Sequence, residues 1–599
     1  MKQKLSDYVA DFLARQGLRH VFVVTGGASI HLLHSLHNAP GIAPICVHHE
    51  QAGAMAADAY ARVTGLGCAI ATSGPGATNM ITGIAGAWFD SVPVLYITGQ
   101  VASFRMKGAT GVRQFGFQET DIVSMVAGIT KRAIQLNVPE MIRYELERAV
   151  AAAQAGRLGP VLLDIPDDFQ RAIIDTDDLN SFVETIVPMW PSDSEVSQTL
   201  GYLQKSERPV MVLGAGVRLA GAYNAARILA IYWRIPVLTT WGVKDLFPAD
   251  QRLNIGTFGQ DGTRYGNFTM QNADCVLAIG ARLSTRETGA LPLWARGANT
   301  IVVDIDQAEL DKFATFGRLI NLGICTDAGA MIEALSEAAE TWRAPDWSAW
   351  RADIKAWQTC YPITLPAARA EQSISPYVLM EELSTAAPDN AQFFVDTGST
   401  VAWAMQALRL KPGQRIYHDC NNTAMGWALP AAIGGALAAP ERTTICLVGD
   451  GSLMFNLQEL ATIREHNLPI KIILLDNAGY GMVRQTEDQW LAGKHVGTST
   501  ESGLGFPDFC SLVSSFGISV DAHDAREGVP FGLSDLFQRA GPGFLSLTIP
   551  PAARVTPKVA FGRPIEDGEP YLPRDEFLAQ MRVPPLQVSL DVQPDTDAA

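Results

Sequence analysis

Short apolar runs rich in β-branched residues alternate along this chain with stretches of helical periodicity. In the first third the runs are Val21 to Val24, Val94 to Ile97 and Val161 to Ile165, with a helical pattern from Gln51 to Val63 between them. Such alternation predicts a parallel sheet covered by helices on both faces. The pattern restarts at Pro209 to Gly214 and runs through Val276 to Ile279 and Ile301 to Asp304, stopping before a Trp-rich stretch between Trp342 and Trp357. It returns a third time at Gln392 to Val395, Thr444 to Val448, Ile470 to Leu475 and Gly543 to Thr548. The expected fold is therefore α/β, with three doubly wound parallel-sheet domains at residues 1–172, 190–340 and 375–560. Polar, Pro-bearing or acidic linkers are expected near 171–189 and 340–375, and a Pro-rich acidic tail, outside any core, from 561 to 599.

Length agrees with this division, because 599 residues exceed what one core sustains. With 47% hydrophobic and 18% charged residues the chain has the material for cores and is not a disordered polymer. A net charge of −16, with no run of Lys and Arg, argues against nucleic acid and anionic membranes as partners. No apolar stretch reaches membrane-spanning length, and the first residues, MKQKLSDYVADFLARQG, carry charges where a signal peptide needs an apolar centre, so a cytoplasmic protein is expected. The cysteines at 46, 68, 275, 325, 360, 420, 446 and 510 lack paired spacing and are expected to be buried thiols in a reducing compartment.

Two places concentrate chemistry. Val448-Gly449-Asp450-Gly451-Ser452 follows a β-branched strand and precedes a helical pattern, and the next strand ends in Asp476-Asn477-Ala478-Gly479-Tyr480-Gly481. A carboxylate and an amide oxygen then meet at the carboxyl ends of neighbouring strands, where open α/β sheets bind ligands, and hard oxygen donors suit Mg2+. Taken alone, Gly-Asp-Gly is as readily a turn. His48-His49-Glu50-Gln51-Ala52 places Glu50 at a helix entrance, where a capping carboxylate is the plain alternative to a chemical role. His31, His34 and His37 share a helix face but have no carboxylate partner in the pattern, which reads as a solvated face.

Gly-Asp-Gly with the downstream Asn resembles the signature of thiamine-diphosphate enzymes. His49-Glu50-Gln51-Ala52 with the following Ala-Ala-Asp-Ala-Tyr-Ala-Arg-Val-Thr-Gly resembles the large catalytic subunit of the acetohydroxyacid (acetolactate) synthase family. The resemblance continues through Thr72-Ser-Gly-Pro-Gly-Ala-Thr-Asn79 and Pro93 to Gln100, and covers nearly all of residues 1–555, least in the middle domain. It implies thiamine diphosphate, with Mg2+ held by the side chains of Asp450 and Asn477 and the carbonyl of Gly479. Glu50 would hydrogen-bond N1′ of the aminopyrimidine, in surroundings that include Gly26, Gly27, Thr72, Gly76 and Asn79. Gly449, Gly451 and Ser452 would approach the diphosphate, and Ala424, Met425 and Met482 the coenzyme's centre. Met425 in Ala424-Met425-Gly426 resembles the residue that wedges the coenzyme into a V, against the alternative of ordinary core. Phe117-Gln118-Glu119 resembles the segment facing the reacting carbon, against the alternative of a polar loop. In the middle domain Gly214, Gly216, Gly280, Arg282, Arg286, Asp304 and Ile305 resemble segments that hold FAD, although related enzymes bind ADP there or nothing.

The implied activity is decarboxylation of a 2-oxo acid, pyruvate first, with ligation of the acyl unit to a second carbonyl, in a homodimer or homotetramer with an optional regulatory subunit. Departures from the family bear on the acceptor: Asp476 replaces the first Asn of the signature, Asp167 a Lys, and Thr486 a pocket-shaping Trp. Val112-Arg113-Gln-Phe-Gly116 resembles relatives in polysaccharide biosynthesis, which keeps open a bulkier acceptor such as a nucleotide-linked keto sugar. A flavin-dependent pyruvate oxidase would share these motifs, and a catalytically silent regulatory subunit is the reading that involves no catalysis; the intact set of Glu50, Asp450 and Asn477 argues against the latter.

Overall fold

The computed structural model describes residues 1–183, 189–369, 371, 373–523 and 529–592. Residues 184–188, 370 and 372 of the expected linkers, 524–528 of the third segment and 593–599 of the expected tail lie outside the described residues.

Each apolar run forms a strand, and the strands assemble into three six-stranded parallel sheets. In the first sheet the spatial order is Ala43–Cys46, His20–Val23, Gly67–Ala71, Val94–Gln100, Val161–Pro166, Arg132–Gln135. The third repeats that order with Arg415–Tyr417, Gln392–Val395, Thr444–Gly449, Lys471–Asp476, Gly543–Thr548, Ser519–His523. The middle sheet runs Asn254–Gly256, Val237–Thr239, Pro209–Leu213, Cys275–Ile279, Asn299–Asp304, Leu322–Cys325, an order that reverses between its first and fourth strands. In sheets of this kind ligands bind beyond the carboxyl ends of the strands, where the winding direction changes. Those switch points fall at Gly26 and Thr72, at Gly214 and Gly280, and between Val395 and Asp450.

The first and third domains share one continuous apolar core, joined where helix Glu50–Thr64 packs on helix Ala428–Ala438. Both helices are built of small residues at the seam, and a Cβ on Gly434 would fall 2.1 Å from the Ala56 carbonyl oxygen. Close backbone approach is thus a property of this sequence, since any larger residue there would push the domains apart.

Three expectations need correction. The stretch expected as a linker at 340–375 contains helix Ser348–Cys360, whose Trp350 and Trp357 are buried in the middle domain's core. Trp347 and Trp350 donate their indole N–H groups to the carbonyls of Ser206 and Pro209 at 3.0 Å, which anchors the helix. The segment expected as a tail from 561 instead returns to the middle domain, adding Ile565 and Phe577 to that core. Burial of each such side chain stabilises by ~1.5–3 kcal/mol, which the polar composition of the segment conceals. Arg264 clasps this strap through the carbonyls of Gly568 and Pro570. All eight cysteines are free, but Cys46 and Cys360 are exposed rather than buried.

Candidate active site

The first switch point gathers a polar pocket floor. Helix Glu50–Thr64 opens on Glu50, its entry capped by the His49 ring, which accepts from the Gln51 amide at 3.1 Å. Asn79 Nδ2 donates to Glu50 Oε2 at 2.9 Å. The other carboxylate oxygen, Oε1, lies 3.2 Å from where a Cβ on Gly76 would stand, and the same Cβ would meet Thr72 Cγ2 at 2.8 Å. Gly26 is equally constrained, because its Cβ would overlap the Thr72 side chain at 2.4 Å, and the Thr72 hydroxyl accepts from the Ala28 amide at 3.2 Å. Glu50, Asn79, Thr72, Gly76 and Gly26 are therefore brought together; Gly27 opens the next turn, and a Cβ there would meet nothing within 4 Å.

Gln118 lies beside this floor, with φ of +62°, and its Cβ stands 3.0 Å from where a Cβ on Gly74 would be. A non-glycine residue in that region is strained, and the loop is held there by Glu119. Its carboxylate accepts the backbone N–H groups of Lys107, Phe115 and Gly116 at 2.7, 3.0 and 3.1 Å. Burial works against the charge, yet these three donors hold Glu119 below the usual carboxylate range. Phe117 and Gln118 are both exposed and make no hydrogen bond to Glu50.

The third domain's switch point forms the second group. Asp450 is buried and accepts the amides of Gly451 at 2.7 Å and Gly479 at 2.9 Å. Burial pushes its carboxyl up to about 7, with Asp476 adding to the rise. Asn477 is buried beside it, and Ala478 and Gly479 take positive φ values of +53° and +153°, so the loop doubles back over Asp450. Glycine is required at 451, where a Cβ would meet the Tyr480 ring at 2.2 Å and the Met425 methyl at 3.4 Å. Asp396 fixes the Met425 turn by accepting the amides of Gly426 and Ala428 at 3.1 and 2.8 Å, and it also bonds Ser452. Ala424 is tied to Asp419 through its amide at 3.0 Å. Gly449 backs onto Thr400, whose hydroxyl would be 3.4 Å from an added Cβ. Met482 stands one turn further on, in helix Gly481–Leu491, against Lys558.

Sequence reasoning missed Ser399 and Thr400, at the start of helix Ser399–Ala407 after Gly398 with φ of +78°. The Ser399 hydroxyl is buried with no hydrogen-bond partner and lies 3.1 Å from where a Cβ on Gly481 would stand. An unused hydroxyl at a helix N-terminus, facing a glycine turn, fits an anion such as a diphosphate. The signal was present as a glycine and two hydroxyls immediately after a strand. It also missed Glu459, a buried carboxylate of the third domain that accepts the amides of His48 and His49, directly ahead of Glu50. Among the described residues, no hydrogen bond or ion pair joins the Glu50 group to the Asp450 group.

The middle domain's residues line a cavity of about 530 Å³. Gly216, Gly280, Arg282, Arg286, Asp304 and Ile305 are all in its wall. Gly214 lies just behind, because its Cβ would come within 2.2 Å of the Gly280 carbonyl oxygen, which forces two backbones together at the switch point. Arg286 stacks 4.0 Å over the Trp241 ring and pairs with Asp261 at 2.9 Å. Asp304 is raised by burial. The far wall belongs to the other domains, through Asp90, His418 and Asn421. A cavity of this volume, with glycine turns, two arginines and a strand-end carboxylate in or just behind its wall, fits a dinucleotide such as FAD.

His31, His34 and His37 lie on helix Ile30–Asn38 with His34 and His37 exposed, and among the described residues no cluster of three His, Cys, Asp or Glu side chains is arranged for a metal. No helix among the described residues is long and apolar enough to cross a membrane.

Three family models match the chain: the thiamine pyrophosphate enzyme N-terminal TPP-binding domain over residues 3–125, the central domain over 196–335 and the C-terminal TPP-binding domain over 396–546. The acetolactate synthase large subunit of Parasynechococcus marenigrum is 34% identical over 565 residues, 92% of this chain and 88% of its own length. The large subunit of acetolactate synthase isozyme 2 of Escherichia coli is 34% identical over 558 residues, 93% and 97% of the two chains. Acetolactate synthase 2, chloroplastic, of Nicotiana tabacum is 32% identical over 578 residues, 94% and 85%.

Proposed function

The chain belongs to the acetolactate synthase large-subunit family of thiamine pyrophosphate enzymes, and from that premise we propose how its residues divide the work. One pyruvate loses CO2, and its two-carbon acyl unit forms a carbon–carbon bond with the carbonyl carbon of an acceptor, whose oxygen takes up a proton. Thiamine diphosphate supplies the electron sink for that decarboxylation.

The observation that carries the assignment is Glu50 at its helix entrance. Asn79 engages Oε2, leaving Oε1 beside Gly76 to hydrogen-bond the pyrimidine N1′ and to hold a proton there. Asp450, Asn477 and the Gly479 carbonyl would hold Mg2+, since they supply hard oxygens at adjacent strand ends. Ser399 and the turns at Gly449 and Gly451 would receive the diphosphate. FAD would fill the middle-domain cavity, with Arg282 and Arg286 near its diphosphate and Asp304 near a ribose.

The working unit is a homodimer. Phe104, Phe115 and Phe117, in the loop beside the Glu50 floor, are 68, 70 and 85% exposed, an apolar patch that a second copy of the chain would cover. In such a pair the Glu50 group of one protomer meets the Asp450 group of its partner. Free cysteines throughout agree with a reducing cytoplasm.

Incubation of the enzyme with labelled pyruvate should yield CO2 and a ligated product by mass spectrometry. Glu50→Gln should stop pyruvate consumption while still binding thiamine diphosphate; a fully active variant would contradict the assignment.

A further inference from the structure

Asp419 is a carboxylate buried between the first and third domains, 1% exposed and without an ion-pair partner among the described residues. Its Oδ2 accepts from the Ala424 amide at 3.0 Å and its carbonyl from the Thr423 amide at 3.1 Å, which closes the loop that leads to Met425. Oδ1 has no hydrogen-bond partner. Gly86 of helix Ile81–Phe89 makes room for the carboxyl, since a Cβ there would stand 3.4 Å from both of its oxygens.

First-domain groups grip the chain on either side of Asp419. Arg62 donates to the His418 carbonyl at 3.0 Å, and Asp90 accepts the amides of Cys420 and Asn421 at 2.8 and 3.1 Å. Asp58 and Asp90 share the guanidinium of Arg62, at 2.9 and 2.8 Å, and Arg62 makes no bond to Asp419. Three carboxylates thus share the seam with one cation. The other titratable groups there bring no compensating charge. Burial raises the Tyr96 hydroxyl and the Cys420 thiol and pushes His418 down to about 4, so all three stay neutral near pH 7. The middle domain faces this segment with one charge of each sign, Arg286 paired with Asp261 and Glu287 bonded to Ser284. An ionised Asp419 would add a second uncompensated negative charge and a bare oxygen to a dry seam, which is costly. Burial pushes its carboxyl up to about 7, and Asp90 adds to the rise.

We propose that Asp419 is a positioning residue that holds the Met425 turn in place for the coenzyme only while its carboxyl carries a proton. The inference rests on the thiamine diphosphate reading above, with Met425 beside the Gly451 turn. When the proton leaves to solvent, Asp90 and Asp58 repel the carboxylate. His418 and Cys420 are held, so the repulsion is relieved only by water entering the seam or by the carboxylate swinging out. Either event releases the Ala424 amide, and the turn before Met425 loses its shape.

The experiment measures the Kd of thiamine diphosphate at saturating Mg2+, by quenching of tryptophan fluorescence, for wild type, Asp419→Asn and Asp419→Ser. Because tight binding requires the neutral form, the wild-type Kd should rise about tenfold from about pH 6 to about pH 8.5. Both variants keep an uncharged acceptor for the Ala424 amide, so their Kd should rise less than about threefold over the same span. Equal rises in wild type and either variant, or a wild-type Kd that stays constant, would overturn the inference; the second of these needs no variant to fold. Wild-type enzyme that binds no thiamine diphosphate at either pH would overturn the coenzyme reading itself.

Discussion

Glu459 Oε1 accepts from the backbone amides of both His48 and His49, at 3.0 and 3.1 Å, so a buried carboxylate of the third domain holds the peptide that leads into Glu50 of the first. Its second oxygen is occupied by Thr462 at 2.8 Å. Glu459→Ala leaves these amides without an acceptor, which should cost about 2–5 kcal/mol and lower kcat about tenfold by loosening Glu50. Chemical denaturation and CO2 release on the same preparation check both numbers, and an unchanged kcat would separate the two residues functionally.

Asp450 and Asn477 should differ in the charge they bring to a cation. Asp450→Asn removes the negative charge and is expected to raise the Mg2+ concentration needed for half-maximal activity by about 100-fold; Asn477→Ala, which removes one neutral ligand, by about tenfold. Titrating Mg2+ into chelator-treated enzyme at fixed thiamine diphosphate gives both values.

In the wall of the middle-domain cavity Gly216 packs on Gly280, a Cβ on the former falling 2.7 Å from the latter's Cα. Gly216→Val should therefore displace the turn and abolish flavin retention, while Arg286→Ala should weaken it about tenfold. Absorbance near 450 nm of the purified proteins reads the outcome; flavin bound stoichiometrically by Gly216→Val would place the ligand elsewhere.

His418 is buried with Nδ1 against the Val395 carbonyl at 2.8 Å, and burial pushes its pKa down to about 4. Between pH 6.5, where a free imidazole titrates, and about 4 the unfolded chain binds the proton that the folded one refuses, so stability falls as pH falls through this window. The full effect is about 3 kcal/mol. His418→Gln should flatten that part of the profile relative to wild type, measured as the difference in thermal midpoint from pH 7 to pH 4; parallel profiles would rule the histidine out as its source.

At the seam between the first and third domains, Gly434→Ala should cost about 3 kcal/mol or more because the clash is with the Ala56 backbone, which has little freedom to move. Ala436→Gly, on the same helix, should cost about 1 kcal/mol. Urea denaturation distinguishes them, and equal midpoints would mean that the seam relaxes.

The three sheets and most residues at their switch points were legible in the sequence because strand-ending glycines and carboxylates are local signals. Glu50, Thr72, Gly76 and Asn79 converge through a short stretch of chain, and Asp450 and Asn477 through adjacent strands. Glu459 was not legible, since its role depends on a contact between residues 411 apart in sequence. Nor was the burial of Ile565 and Phe577, which sit among prolines and charges and are apolar only in the company of helices folded far upstream. Ser399 left a faint mark, a hydroxyl after a glycine, that resembles countless ordinary helix starts.

The strap that carries Ile565 and Phe577 brings the polypeptide back to a domain it left some two hundred residues earlier, closing a circuit through all three sheets. Loosening any one of them should then be felt by the others, and a scanning calorimeter should record one cooperative peak, not a staircase.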